Sequence, residues 1–175
     1  EFMQMEDVYR IDQGIERYMT KTQKKTADFM EGCMELGGLL GDWQEDEIIE
    51  LKKYGHALGM AFQITDDIMD YRETAETTGK PVGNDLREGL LTYPLLSIVN
   101  DGNKDKLLED IKGLNNGGNE QDIIDYVIAQ GGIDNTLAVA DKYCKDALAA
   151  LAAVRDFPGK EFLVMAVENL ADKIG

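Results

Sequence analysis

The sequence has little cysteine and little positive charge, and it lacks an apolar run long enough to span a membrane. Its two cysteines, Cys33 and Cys144, lie far apart and form no CxxC pair, so we expect reduced packing residues rather than a disulfide framework or a zinc site. Only 18 basic residues face 34 acidic ones, and the formal net charge of −16 argues against nucleic acid or an anionic membrane surface as a partner. With no membrane span and no charged-then-apolar leader at its start, the chain is predicted to be cytoplasmic.

Sustained strand-type alternation of apolar residues is also missing, and the apolar residues instead recur at spacings of three and four. The predicted fold class is therefore all-α, with a single domain over residues 1–175, because a chain of this length can bury one core. Helices are expected over residues 12–40, 44–71, 103–113, 120–130, 133–154 and 160–173, with a further helix start near residue 92. In the first helix, the predicted apolar face comprises Tyr18, Thr22, Phe29, Met30, Cys33, Leu36 and Gly37.

Polar side chains interrupt an otherwise apolar stretch near the end of the second predicted helix. Gln63, Asp66, Asp67 and Asp70 fall within a sector of roughly 100° on such a helix. The carboxylates are i,i+3 and i,i+4 neighbours that repel one another if all ionise, and they lie at the end of the helix dipole that disfavours negative charge. A bound divalent cation would offset both effects, and carboxylate oxygens suit Mg²⁺. Taken by themselves, these residues leave a solvated acidic helix face as the alternative.

A second motif follows over residues 79–94, which read GKPVGNDLREGLLTYP. Together with FQITDDIMD at residues 62–70, it resembles the polyprenyl synthetase family of trans-isoprenyl diphosphate synthases, whose members carry FQxxDDxxD followed by GKxxGxDLxxGxxTxP. The resemblance implies a helical bundle of the isoprenoid synthase type, of which this chain covers about the C-terminal half. It also implies a prenyltransferase that condenses an allylic diphosphate with isopentenyl diphosphate to make a longer polyprenyl diphosphate. Residues 1–7 resemble a GE–xxQ pattern in a preceding helix of the family, with the glycine removed.

The same resemblance implies a role for each residue that matches the family pattern. Leu90 departs from that pattern, because many members have a lysine there, and the departure removes one expected phosphate contact. The implied Mg²⁺ ligands are Asp66, Asp67 and Asp70. The implied catalytic residues, which also bind the allylic diphosphate, are Lys25, Thr26 and Gln63. One further lysine, Lys80, is implied to bind the diphosphate.

The resemblance further implies that the intact protein is a homodimer and that this chain alone lacks turnover, because the other half of the site would be missing. Two alternatives stay open: a non-catalytic, prenyltransferase-like helical subunit, and another class I terpenoid synthase. His56, the single histidine, is interpreted as a satisfied helix residue rather than as a metal ligand.

Overall fold

A computed structural model describes residues 2–72 and 83–174, and in this part of the chain it contains α-helices but no strand. A π-helical turn, Gln23–Ala27, separates the second and third α-helices, and a 3₁₀ turn, Leu114–Asn116, follows the seventh. The α-helices in chain order are α1 (Phe2–Glu6), α2 (Gly14–Thr22), α3 (Asp28–Leu40), α4 (Glu45–Arg72), α5 (Asn84–Arg87), α6 (Tyr93–Leu96), α7 (Lys104–Gly113), α8 (Glu120–Ala129), α9 (Gly132–Ala152) and α10 (Lys160–Ile174).

The predicted all-α fold class is confirmed, and the predicted boundaries of α4 and of α7 to α10 agree with the structure to within two residues, whereas the short helix α5 was not predicted. The helix predicted over residues 12–40 is present as a continuous helical run from Gly14 to Leu40, but the prediction missed the π-helical turn within it. A π-helical turn contains more residues than an α-helical turn, so it rotates every side chain that follows it around the helix axis. The faces of α3 are therefore not continuous with those of α2.

Contacts within the chain define two compact units, each built from two separate stretches of sequence. Unit 1 comprises Glu1–Lys21 and Asp66–Thr136, and unit 2 comprises Thr22–Thr65 and Leu137–Gly175. The helices α4 and α9 each contribute residues to both units. The single domain predicted over residues 1–175 stays a prediction.

The core of unit 2 is formed by small and aromatic side chains from α4, α9 and α10. The hydroxyl of Tyr54 donates to the carbonyl of Leu163 at 2.9 Å, and burial raises the pKa of Tyr54 to about 12. Four of the nine members of this core are alanines, whose small side chains allow the helices to approach one another closely. Its members are Tyr54, Ala57, Ala61, Cys144, Ala147, Ala150, Leu151, Val167 and Leu170.

The apolar face predicted for the first helix is partly wrong. Phe29 is 73% exposed and Leu36 is 57% exposed, while Gly38 of the same helix is buried. Cys33 is exposed as well, so the expectation of two packing cysteines holds only for Cys144. The cause is the rotation introduced by the π-helical turn, which brings a different side of α3 onto the core.

The interior of unit 1 consists mainly of branched aliphatic side chains. The helix α7 packs against α5 and α8, and Pro94 lies in the first turn of α6, where the missing N–H is tolerated. In the described ranges, no helix is both long enough and apolar enough to cross a membrane. Buried aliphatic residues of this unit include Ile68, Leu86, Leu91, Leu95, Ile111, Ile124 and Val127.

Candidate functional site

The three predicted metal-binding aspartates occupy the last two turns of α4, and their environments differ. Asp66 is exposed, Asp67 is only 3% exposed, and Asp70 is half-buried. The sequence pattern places them on one helix but does not show this difference.

Asp67 is held in place by a tyrosine from α2. The buried hydroxyl of Tyr18 donates to Asp67 Oδ2 at 2.5 Å, and the Tyr18 ring packs edge-on against Tyr93 with the ring centroids 5.7 Å apart. A buried tyrosine usually requires a hydrogen-bond partner for its hydroxyl. The sequence analysis placed Tyr18 only on an apolar helix face. Because a buried tyrosine hydroxyl requires a hydrogen-bond partner, the prediction that Tyr18 is buried could have indicated a polar partner for it.

Asp70 joins the end of α4 to the segment that contains the second motif. Its carboxylate accepts hydrogen bonds from the backbone N–H groups of Asn84 at 3.2 Å and Asp85 at 3.3 Å. The N–H of Gly83 donates to the Asp70 carbonyl at 3.0 Å, and Gly83 has a φ of 71°, a left-handed conformation that favours glycine. Burial raises the pKa of Asp70, and the two backbone hydrogen bonds oppose this shift.

The remainder of the second motif has a structural explanation in unit 1. Leu86 is fully buried, so the short helix α5 is anchored by its leucine. Gly89 has a φ of 74°, and a Cβ atom there would lie 2.8 Å from the ring of Tyr9. The N–H of Tyr9 donates to the Gly89 carbonyl at 2.8 Å. Glycine is thus required at both ends of the segment 83–89, and the spacing of the motif reflects how this segment folds.

A second buried carboxylate in unit 1 was missed by the sequence analysis. The side chain of Asp7 is buried and accepts a hydrogen bond from Arg17 Nε at 2.7 Å, and it also pairs with Arg10 at 3.5 Å and Lys21 at 3.7 Å. Burial lowers the pKa of Lys21, while Asp7 and then Asp67 oppose the shift. Arg17 and Lys21 are i,i+4 neighbours on α2, so their positive charges lie on the same helix face. This pair of cations is the sequence pattern that could have indicated an acidic partner nearby.

The residues predicted to bind the allylic diphosphate fall partly in unit 2. Lys25 and Thr26 lie in the π-helical turn, a feature that often marks functional sites. Thr26 Oγ1 donates to Gln63 Oε1 at 3.2 Å, which joins two of the predicted residues from separate helical segments. Lys25 is exposed. Lys80 lies outside the described residues, as do Gly79, Pro81 and Val82.

The arrangement of the aspartates is compatible with a hard divalent cation. Among the described residues, one group of three potential ligands has its donor atoms within 4.8 Å of one another, and it is not formed by Asp66, Asp67 and Asp70. Mg²⁺, however, is commonly bound by one or two carboxylates and keeps the rest of its shell for water and phosphate. An exposed Asp66 beside two oriented carboxylates meets this requirement.

The comparisons with known proteins agree with the motifs. The family model described as polyprenyl synthetase matches residues 1–130. The chain is 32% identical over 148 residues to the heptaprenyl diphosphate synthase component 2 of Geobacillus stearothermophilus, covering 85% of this chain and 46% of the relative. It is 33% identical over 168 residues to the octaprenyl diphosphate synthase of Escherichia coli (strain K12), covering 94% of this chain and 52% of the relative. The chain thus spans about half the length of these relatives.

Solved structures show the same fold. The heptaprenyl diphosphate synthase of Staphylococcus aureus matches with a TM-score of 0.84 and 28% identity, over 98% of this chain and 54% of that one. A polyprenyl synthase from Caulobacter crescentus CB15, complexed with calcium and isoprenyl diphosphate, matches with a TM-score of 0.81 and 31% identity, over 99% of this chain and 53% of that one. Matching sequence motifs, the family model and the shared fold lead to one conclusion: the chain belongs to the polyprenyl synthetase family.

Proposed function

We propose that this chain is part of a prenyltransferase that condenses an allylic diphosphate with isopentenyl diphosphate to give a longer polyprenyl diphosphate. The observation that carries the proposal is the hydrogen bonding of Asp70 to the backbone of Asn84 and Asp85, because it joins the two family motifs within unit 1. The relatives above are named as a component of a heptaprenyl diphosphate synthase and as an octaprenyl diphosphate synthase, so neither a terpenoid cyclase nor a non-catalytic subunit is favoured.

In this proposal Asp66, Asp67 and Asp70 hold Mg²⁺. Bound Mg²⁺ would supply positive charge to the diphosphate leaving group. The hydrogen bond from Tyr18 fixes the orientation of Asp67, and the amides of residues 84 and 85 fix that of Asp70. Asp66, which is exposed, would meet the cation first. Preorganised carboxylates lose less conformational entropy when they bind a cation, so this support would strengthen binding.

The allylic diphosphate would be bound by Lys25, Thr26, Gln63 and Lys80. The exposed Lys25 would contribute a positive charge to a phosphate oxygen. Thr26 Oγ1 donates to the side-chain oxygen of Gln63, Oε1, which orients the amide of Gln63, and amide N–H groups are chemically suitable donors to a phosphate oxygen. The roles of these residues in substrate binding and catalysis follow from the family pattern.

We also propose that the intact protein acts as a homodimer in the cytoplasm with Mg²⁺ as its cofactor. The calcium and isoprenyl diphosphate in the Caulobacter crescentus structure support a divalent cation and a prenyl diphosphate as ligands. One relative is named as a component of a heptaprenyl diphosphate synthase, so the test of assembly should include a second type of subunit.

Binding of inorganic pyrophosphate in the presence and absence of Mg²⁺ tests the proposal. Calorimetry should show binding only when Mg²⁺ and pyrophosphate are both present. Asp66→Asn should weaken this binding at least about tenfold, since a direct ligand of the cation is lost. The matched control is Asp172→Asn, which removes an exposed aspartate near the end of α10 and should leave binding unchanged. Equal affinity of the wild-type chain and Asp66→Asn would contradict the proposal.

A further inference from the structure

We propose that Asp28, Glu31 and His56 form a second cation site, one that takes a borderline divalent ion such as Zn²⁺. One potential ligand atom from each of the three side chains lies within 4.8 Å of the other two. The three residues come from two helices of unit 2, with Asp28 and Glu31 on α3 and His56 on α4. None of them belongs to the proposed Mg²⁺ and diphosphate site.

Two glycines of α4 bring these side chains together. A Cβ atom at Gly55 would lie 2.9 Å from the Cα of Glu31, and a Cβ at Gly59 would lie 2.6 Å from the Cα of Ala27. The backbone of α4 is thus in direct contact with α3 at Gly55 and with the end of the π-helical turn at Gly59, on either side of His56. Helices packed this closely hold a site more precisely than loops do.

The imidazole is the observation that distinguishes this group from an ordinary cluster of acids. His56 Nδ1 lies 3.6 Å from Glu31 Oε2. A tetrahedral ion with bonds of about 2.1 Å holds neighbouring ligand atoms about 3.4 Å apart, so this pair is already near the required separation. An imidazole nitrogen favours Zn²⁺, Co²⁺ or Ni²⁺ over Mg²⁺, which takes oxygen ligands.

The third ligand, Asp28, has a carboxylate oxygen within 4.8 Å of the ligand atoms of Glu31 and His56. It is exposed, and Gln23 Nε2 donates to its Oδ1 at 3.1 Å, which steadies the carboxylate. Glu31 and His56 are each about one-third exposed and line a groove of about 630 Å³. Water in this groove would fill the remaining coordination positions.

Lys52 is the natural competitor of the cation. Its ammonium lies 3.0 Å from Glu35 Oε2 and 3.7 Å from Glu31 Oε1. It therefore supplies part of the positive charge that the carboxylates require, and it would repel a bound ion. Removing this charge should strengthen cation binding, whereas a purely structural group of ion pairs would gain nothing from the change. A bound ion would join α3 to α4 and stabilise the folded chain by mass action.

The experiment is a Zn²⁺ titration followed by NMR at the imidazole, in protein freed of any added histidine tag. His56 is the only histidine, so every imidazole signal reports on this site. We expect the ring signals to move to saturation at one Zn²⁺ per chain and to be unaffected by Mg²⁺. Glu31→Gln and Asp28→Asn should each weaken the apparent affinity at least about tenfold, and Lys52→Gln should tighten it.

Two controls separate this site from other acidic groups. Glu50→Gln removes an acid that lines the same groove but does not belong to the ligand set, and it should leave the affinity unchanged. The double variant Asp66→Asn, Asp70→Asn should also retain the response of His56. Helix content by circular dichroism confirms that each variant folds. An imidazole signal that ignores Zn²⁺, or an affinity that Glu31→Gln and Asp28→Asn leave intact, would overturn the proposal.

Discussion

At the scale of single residues, the hydroxyl of Tyr18 determines how Asp67 is presented. Asp67 is buried at the end of α4, and a buried carboxylate requires hydrogen-bond donors. Tyr18 lies 49 positions earlier in the chain, so its donated bond depends on the tertiary fold of unit 1. The orientation of one proposed metal ligand is therefore set by a residue outside both family motifs.

Tyr18→Phe keeps the aromatic ring and removes only the donor. We expect the free energy of unfolding to fall by about 1–3 kcal/mol, because the buried carboxylate of Asp67 loses the hydrogen bond that the Tyr18 hydroxyl donates. Urea unfolding followed by circular dichroism measures the change. Tyr126→Phe is the matched control, since its hydroxyl bonds Asn103 at an exposed position and its loss should cost less than about 0.5 kcal/mol. Equal losses in the two variants would be inconsistent with a special role for the Tyr18 hydroxyl.

The two thiols should differ in reactivity. Burial, reinforced by Asp141, raises the pKa of Cys144, so less thiolate is present at any given pH, whereas Cys33 is exposed. With a disulfide reagent at pH 8, one thiol per native chain should react quickly, and the second should react only after unfolding in urea. Cys33→Ser should remove the fast phase. Two fast thiols in the native chain, or a fast phase that survives Cys33→Ser, would refute this assignment.

At the scale of helices, glycine positions set how closely α4 approaches its neighbours. Gly55 and Gly59 lie against the backbone of residues 27–31, so no side chain can be accommodated there without moving a helix. The same contact places the π-helical turn with Lys25 and Thr26 beside α4. Close packing at two glycines thus positions Thr26 to bond Gln63.

Gly59→Ala tests this packing. The added Cβ would lie 2.6 Å from the Cα of Ala27, and we expect a loss of about 1–3 kcal/mol in the free energy of unfolding. Gly32→Ala is the matched control within α3, because nothing lies within 4 Å of its added Cβ and alanine favours a helix by up to about 1 kcal/mol. Chemical denaturation of both variants measures the difference. A Gly59→Ala chain as stable as Gly32→Ala would rule out the close approach.

Helix positions were predictable from sequence where apolar spacing and glycine or asparagine breaks agree, as for α4, whose ends were placed within one residue. The grouping of Gln63 with the three aspartates likewise follows from helical spacing. The π-helical turn and the burial of Asp67 were not predictable, because both depend on contacts between distant parts of the chain. The rotation introduced by the π-helical turn explains why Phe29 and Leu36 are exposed although their spacing matches a buried face.

At the scale of the whole molecule, the acidic residues of the chain far outnumber the basic ones. Eighteen basic residues against 34 acidic ones cannot attract an anionic substrate by long-range electrostatics. In the proposed function, a diphosphate would therefore be captured by local charges, namely a cation held by the aspartates together with a few lysines. Binding of the substrate would then depend on the metal.

We expect no prenyl transfer from this chain alone, which spans about half the length of the relatives that it matches. The family resemblance places the residues that bind isopentenyl diphosphate elsewhere. Labelled isopentenyl diphosphate incubated with farnesyl diphosphate, Mg²⁺ and a preparation whose mass is verified as 19.5 kDa should yield no longer product. Elongated product from such a preparation would show that these 175 residues hold a complete site.

The most direct test of the central claim is calorimetric binding of an unreactive allylic diphosphate analogue, geranyl S-thiolodiphosphate. The account predicts binding that requires Mg²⁺ and that weakens at least about tenfold in Asp66→Asn, with a smaller loss in Lys25→Gln and none in Asp172→Asn. Binding that is independent of Mg²⁺ and of Asp66, or no binding to the wild-type chain, would contradict it.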